Sequence, residues 1–248
     1  MRVLLTIQYL GTRYAGWQSQ TNATGIQNVI EAALATMFGN PIRIEGAGRT
    51  DAGVHARAQR AHADIPFEIE PRGFRQGLNN LLPHDISVTA VDTVAGNFHC
   101  RFAAKSKSYI YRIWNAEVAD VFANETHAFV PQPLDVDRML AAARTLAGRH
   151  YFALFTVAGP EVSSTERRIT SIDVIRDGNA ITIPVTADGF LRYMVRRIAG
   201  SLIEIGRGKL EPESIWSVAR WTAPAKGLTL WDVEYSLNER PRYDSGDG

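Results

Sequence analysis

The sequence predicts an α+β fold built from two ferredoxin-like halves, each running β-α-β-β-α-β, with a mainly antiparallel sheet backed by helices. Three observations carry this reading. Apolar residues alternate at Val3, Leu5, Ile7 and Tyr9 and again at Ile86, Val88 and Ala90, the period of a half-buried strand. Two stretches, 26–38 and 191–205, set apolar side chains at helical spacing. The same order of strand and helix signals comes round twice, without a repeat of the residues themselves.

In the first half, strand signals over Val3 to Tyr9 lead into a turn region from Gly11 to Gly16. Thr24 followed by Gln27 marks a capping-box helix start. Ile26, Val29, Ile30, Ala33, Leu34, Met37 and Phe38 then share one face, and Gly39 ends the helix. Ile42 to Glu45 is a short strand running into Gly46-Ala47-Gly48, and His62 to Phe67 is a weaker one. Pro71 to Leu82 reads as a helix stopped by Pro83, and the strand around Val88 closes the half. In the second half, Tyr109 to Trp114 is a strand and Asp135 caps a helix through Met139 and Leu140 that ends at Gly148. Ile172–Ile175 and Ile181–Val185 flank Asp177-Gly178-Asn179, a hairpin signal. A helix from Leu191 to Ile205 ends at Gly206, a further helix covers Glu213 to Trp221, and Leu228 to Tyr235 is the last strand. The expected division is residues 1–104 and 105–248, with the boundary in Ala95–Ala104 or at Pro131-Gln132-Pro133; Ser245 to Gly248 is expected to fray.

Composition narrows the class. The 248 residues are 45% hydrophobic and 21% charged, which excludes disordered and low-complexity proteins. Twenty-seven Lys and Arg against 26 Asp and Glu leave a net charge of +1, so any nucleic-acid partner must be met by local basic patches. The single Cys100 excludes an intramolecular disulfide and a multi-cysteine cluster and suits a reducing cytosol. No apolar run approaches the roughly 18 residues of a membrane span. The opening Met1-Arg2-Val3-Leu4-Leu5-Thr6-Ile7-Gln8 turns polar too soon for a signal peptide, so a cytoplasmic, soluble protein is expected.

Three segments hold residues able to do chemistry. In Gly46-Ala47-Gly48-Arg49-Thr50-Asp51-Ala52-Gly53-Val54-His55, glycines crowd around a charged pair, and Arg49 and Asp51 fall on one face of an extended chain. This is either a plain turn with a solvated Arg or a site that something approaches closely. A metal held by Asp51 and His55 lacks a third ligand at suggestive spacing, and no Gly-Lys-Ser/Thr follows to make a P-loop. In the second segment Arg101, Lys105, Lys107 and Arg112, with no acid between them, interleave with Phe98, Phe102, Tyr109, Tyr111 and Trp114. Cations with stacking platforms are what single-stranded RNA requires, but Tyr111 and Ile113 serve equally as core. In the third, Arg192, Arg196, Arg197, Arg207 and Lys209 accompany one acid, Glu204. Arg192 and Arg196 fall on one face of the expected helix, and Arg196 lies beside apolar Val195, where an Arg either has a carboxylate partner or snorkels to water. His62, His84, His127 and His150 fit no ligand or triad spacing and are read as structural, while His99 joins the basic strip.

The Asp51 segment resembles the signature of the tRNA pseudouridine synthase A family. Gly16-Trp17-Gln18-Ser19-Gln20, Leu78-Asn79-Asn80-Leu81-Leu82-Pro83, Phe98-His99-Cys100-Arg101-Phe102, Lys107-Ser108-Tyr109-Ile110-Tyr111, Thr165-Glu166-Arg167-Arg168-Ile169 and Met194-Val195-Arg196 resemble further family segments in the same order. The resemblance implies two such halves meeting along one long sheet with a central RNA-binding cleft. It implies isomerisation of uridine to pseudouridine at positions 38 to 40 of the tRNA anticodon arm, by a homodimer with no cofactor or metal. By position, Asp51 matches the catalytic carboxylate, Tyr109 the aromatic that stacks on the target uracil, Arg196 the carboxylate's basic partner, and Arg49 the arginine that holds the base out of the stem. Arg101, Lys105, Lys107, Arg167 and Arg192 are further RNA-contact candidates. A non-catalytic RNA-binding or RNA-folding module is the rival reading. The chain departs from the pattern at Arg57-Ala58-Gln59-Arg60-Ala61, where Arg60 points either to the RNA face or to a more exposed strand edge. It departs again at Cys100, which is expected to be packing.

Overall fold

A computed structural model describes residues 1–157 and 164–236 of the chain; the expected fraying of Ser245 to Gly248 lies outside the described residues. The architecture is α+β, with mostly antiparallel strands and four α-helices among the described residues. Two compact units divide between Lys105 and Ser106. From Leu230 onward the last strand belongs with the first unit, so the second unit ends at Thr229 where the sequence reading runs it to the C-terminus.

The first unit contains β1 (Arg2–Tyr9), α1 (Ile26–Phe38), β2 (Ile44–Gly46), β3 (His55–Asp64), α2 (Pro71–Leu81) and β4 (Ile86–Val94), joined by most of β11 (Leu228–Tyr235). Strands lie in the order β4-β1-β3-β11, with β2 on β3. β1 is antiparallel to both β3 and β4, and its Val3, Leu4, Leu5 and Ile7 are buried. A bulge interrupts the β1–β4 register after Thr6; beside it Asn79 of α2 bonds the Val88 backbone, its amide donating to Val88 O at 2.9 Å and its carbonyl accepting Val88 N–H at 2.7 Å. Ile26, Ile30 and Leu34 of α1 and Phe74 and Leu78 of α2 are buried, and Phe38 stacks against Phe74 with ring centroids 5.8 Å apart.

α1 starts one residue later than Thr24 and Gln27 suggest. Gly25 is the cap, its N–H donating to Asn28 Oδ1 at 3.0 Å, while Gln27 accepts from Ser19 N and donates to Ile44 O. β3 is longer than expected and begins at His55, because the polar residues that mask its pattern are buried with partners inside the unit.

The second unit contains most of β5 (Ala104–Trp114), then β6 (Ala128–Phe129), α3 (Val136–Arg144), β7 (Gly148–Tyr151), β8 (Glu166–Ile172), β9 (Ile175–Asp177), β10 (Ala180–Ala187) and α4 (Met194–Gly206). Its strands run β5-β10-β8-β7, with β9 on β10 and the two-residue β6 parallel to β5. Asp135 caps α3 by accepting Arg138 N–H at 3.0 Å, and Gly178 turns the β9–β10 hairpin at φ +56°. α4 begins at Met194 rather than Leu191, because Tyr193 before it is left-handed at φ +63°.

Glu213 to Trp221 is not an α-helix. Only Pro212–Trp216 is helical, as a 3-10 turn, with Ser214 and Ser217 hydroxyls donating to the carbonyls three residues back and competing with α-type bonds. Beyond it, Ala223 N–H donates to Arg196 O, and Gly200 of α4 leaves room for the passing backbone: a Cβ there would sit 2.3 Å from Trp221 O.

Candidate active site

Asp51 sits in the loop between β2 and β3, half-buried, with exposed Arg49 and buried Thr50 before it. The loop is held from beneath by the 9–17 segment. Trp17 N–H donates to Thr50 O at 3.1 Å, Gly53 N–H to Tyr14 O at 3.3 Å, and Val54 N–H back to Asp51 O at 3.1 Å. Gly16, at φ +92°, makes this approach possible: a Cβ would lie 2.4 Å from Thr50 O and 3.0 Å from the Asp51 carbonyl carbon. Gly53 turns the loop at φ +77°. At Gly11 a Cβ would meet Val54 O at 2.0 Å, so that position too requires glycine.

Buried side chains complete the support. Tyr9 OH and Thr50 Oγ1 are 2.8 Å apart, and Tyr9 also bonds Gln59, whose amide donates to Gly48 O at 2.8 Å. Burial pushes the Tyr9 hydroxyl's pKa well up, so it stays protonated as a donor. Asp85 anchors the clamp itself: its carboxylate accepts Tyr14 OH at 2.7 Å and Arg13 Nη2 at 2.6 Å. Burial pushes the Asp85 carboxyl up, but the Tyr14 hydroxyl and Arg13 guanidinium outweigh it and hold it below the usual range. Tyr14 is raised in turn to about 12, by burial and then by Asp85. His55 accepts the Gly11 N–H on Nδ1 at 2.9 Å and is 2% exposed, a structural role beneath the same loop.

The remaining candidates divide between the units. Arg49, Asp51, Arg101 and Lys105 belong to the first; Lys107, Tyr109, Arg167, Arg192 and Arg196 belong to the second. Tyr109 is buried on β5 opposite Val185 of β10, with Phe190 packed edge-on at 5.0 Å. Tyr109, Tyr111 and Ile113 share the buried face expected from alternation, and Tyr111 OH donates to Pro224 O at 2.9 Å. Arg196, half-buried on α4, donates through Nε to Ala223 O at 2.9 Å, with its guanidinium 5.3 Å from the Tyr193 ring centre.

Arg192 precedes α4 and lies 5.0 Å over the same ring, so it does not share a helix face with Arg196. Arg167 donates to Ser164 O at 3.0 Å, and Arg101 lies 5.9 Å from the Phe102 ring centre. Arg60 is not at a strand edge. It stands on the inner strand β3, its side chain 15% exposed, donating to Thr6 Oγ1 and 4.0 Å from Asp92. Arg197 is likewise structural, donating to the Leu154 and Thr156 carbonyls. Tyr9, Gln59 and Asp85 escape a motif reading; the glycines at 11 and 16 mark only the close approach of the 50–54 backbone.

Comparison with known proteins gives the class of this α+β chain. The tRNA pseudouridine synthase family profile matches residues 5–103 and 142–236, and the chain belongs to that family, whose members are isomerases. Within it, the chain is 42% identical over 241 residues to tRNA pseudouridine synthase A of Pelobacter propionicus, covering 94% of this chain and 99% of that one. It is 44% identical over 245 residues to the enzyme of the same name from Moorella thermoacetica, covering 93% and 98%. The Geobacter sulfurreducens protein of that name matches at 42% over 241 residues. No α-helix among the described residues is long and apolar enough to cross a membrane.

Proposed function

We propose that the chain converts uridine to pseudouridine at positions 38, 39 or 40 of the tRNA anticodon arm, with Asp51 as the catalytic carboxylate. The observation that carries this reading is the frame under Asp51: three backbone hydrogen bonds, two crowded glycines and the Tyr9–Thr50–Gln59 network hold the backbone of the loop that carries this half-buried residue. Fixing a reacting group before substrate arrives is what converts binding into rate.

The reaction breaks the bond from C1′ to N1 and joins C1′ to C5 of the same base. Atoms and oxidation state are conserved, so the rearrangement needs no oxidant or reductant; in this reading the Asp51 carboxylate does the nucleophilic or proton-transfer work. A stem uridine must leave its stack, at a few kcal/mol. In this reading Arg49 holds the base out and Tyr109 stacks on it, returning about 1–3 kcal/mol. Arg196 pairs with Asp51 and favours its ionised form against desolvation. Arg101, Lys105, Lys107, Arg167 and Arg192 meet phosphates of the tRNA, and the chain works as a homodimer. The test for position uses tRNAs in which only uridine 38, 39 or 40 carries tritium at C5. Release from at least one of the three is expected; release only from a uridine elsewhere would overturn the positional reading.

A further inference from the structure

One cluster of metal-type donors in the first unit takes no part in the chemistry above. His62 on β3 and His99 and Cys100 in the turn after β4 each bring one donor atom, and the three atoms lie within 4.8 Å of one another. His62 and Cys100 are buried and His99 is half-buried. Glu45 of β2 pairs with His62 across the β2–β3 register and reaches His99 Nε2 with its carboxylate at 3.0 Å. We propose that Glu45, His62, His99 and Cys100 bind one Zn²⁺ ion, in a structural site that ties β2 and β3 to the 99–103 turn.

Two nitrogens, a sulfur and a carboxylate oxygen suit a borderline-soft ion in a closed tetrahedron. Bonds of about 2.0–2.3 Å put tetrahedral donors roughly 3.3–3.6 Å apart. His62 Nδ1 and Cys100 Sγ already stand 3.3 Å apart. The ligands that must adjust are the accessible ones, His99 and Glu45, whose side chains are 30% and 65% exposed; they also provide the entry path.

The frame behind them is fixed. Tyr235 OH donates to Cys100 O at 2.9 Å, Arg2 Nη1 to Phe98 O at 2.8 Å, and Phe102 N–H to His99 O at 3.1 Å. A thiolate and a carboxylate balance the dication. Loading releases the thiol proton and gives up the Cys100 Sγ–H bond to Glu45 O, the His99–Glu45 pair and the Arg101 N–H bond to His99 Nδ1. Sequence spacing hides the site, because its donors come from three separated segments.

The test titrates tag-free, full-length protein with Co²⁺, followed by displacement with Zn²⁺. One equivalent should bind with thiolate-to-cobalt charge-transfer absorption, and Zn²⁺ should raise the Tm. Cys100→Ser should abolish the charge-transfer band. His99→Ala and Glu45→Ala, at accessible positions that need not disturb folding, should each weaken binding about 10–100-fold and remove the Zn²⁺-dependent Tm shift. Absence of the band in wild type, or equal affinity in wild type and both accessible-site variants, overturns the proposal. None of these readouts depends on isomerase activity, so this proposal and the functional reading can fail separately.

Discussion

Removing the Tyr9 hydroxyl tests whether the network under the loop, and not the backbone alone, positions Asp51. Tyr9→Phe keeps the ring, which is 4% exposed, and deletes the oxygen 2.8 Å from Thr50 Oγ1. It leaves the Thr50 hydroxyl, in a residue 7% exposed, and one bond of the fully buried Gln59 without that partner. Stranding a buried polar group costs about 1–3 kcal/mol, and for a chain of this size each kcal/mol shifts Tm by about 2–4 °C. Thr50 is bonded directly to Asp51 in the chain, so relaxation of the loop moves the carboxylate itself. A misplacement approaching 1 Å lowers kcat by about 100-fold, whereas KM, set largely by phosphate contacts, should change little. Thr50→Val breaks the same hydrogen bond from the other side, and the double variant should show coupling of about 0.5–3 kcal/mol in stability. The assay pairs thermal denaturation with single-turnover kinetics on tRNA. Strictly additive stabilities with an unchanged single-turnover rate would refute the reasoning and leave backbone contacts as the sole support.

Gly16→Ala combines a φ of +92° with a Cβ 2.4 Å from Thr50 O; it should destabilise by at least about 1–2 kcal/mol and slow turnover more than Tyr9→Phe, by the same kinetic assay. Because the Asp85 carboxyl is held below its usual range in the folded state, its contribution is present above the unfolded value of about 3.9 and disappears as pH falls through the folded pKa. Asp85→Asn should therefore be less stable than wild type at pH 7 and converge with it in acid, read from urea unfolding across pH. Tyr14, raised to about 12, has the opposite sense: its contribution is complete below about 10 and fades as pH rises through 12, a loss Tyr14→Phe should not show. Neutralising Lys105 or Lys107 should weaken tRNA binding and reduce the salt slope of log K by about one unit if that lysine meets a phosphate. An unchanged slope removes it from the RNA face.

The parts of the fold legible in the sequence are those where one physical signal acts alone. β1, α1, the Gly178 hairpin and β11 follow from periodicity and turn chemistry, and their bounds agree with the structure to within a few residues. β3 is masked because His55, Gln59 and His62 are polar yet buried, each bonded to a group distant in sequence: Gly11 N, Gly48 O and Cys100 Sγ. The 3-10 turn at Pro212–Trp216 is misread because Ile215 and Trp216 supply a helical face while serine hydroxyls tighten the turn. Asp51, Arg49, Tyr109 and Arg196 are candidates through the family resemblance, which does not reach the supports of the Asp51 loop. Tyr9 reads as an ordinary strand residue, Gln59 falls in the segment that departs from the family pattern, and nothing near Asp85 in the sequence announces Arg13 and Tyr14. Arg60, left open between the RNA face and a more exposed strand edge, is given by the structure to Thr6 and Asp92 on a buried strand, partners that the adjacent sequence does not announce.

The central claim is that Asp51 carries the chemistry of a uridine isomerase. Pseudouridine formation must expel the hydrogen at C5, because C5 becomes the glycosidic carbon. The most direct measurement is therefore tritium release from tRNA carrying C5-labelled uridine, with RNA binding measured alongside. Release by the wild type, with none by Asp51→Ala at undiminished binding, is the predicted result. Release by Asp51→Ala at the wild-type rate, or bound tRNA from which the wild type releases nothing, would contradict the account.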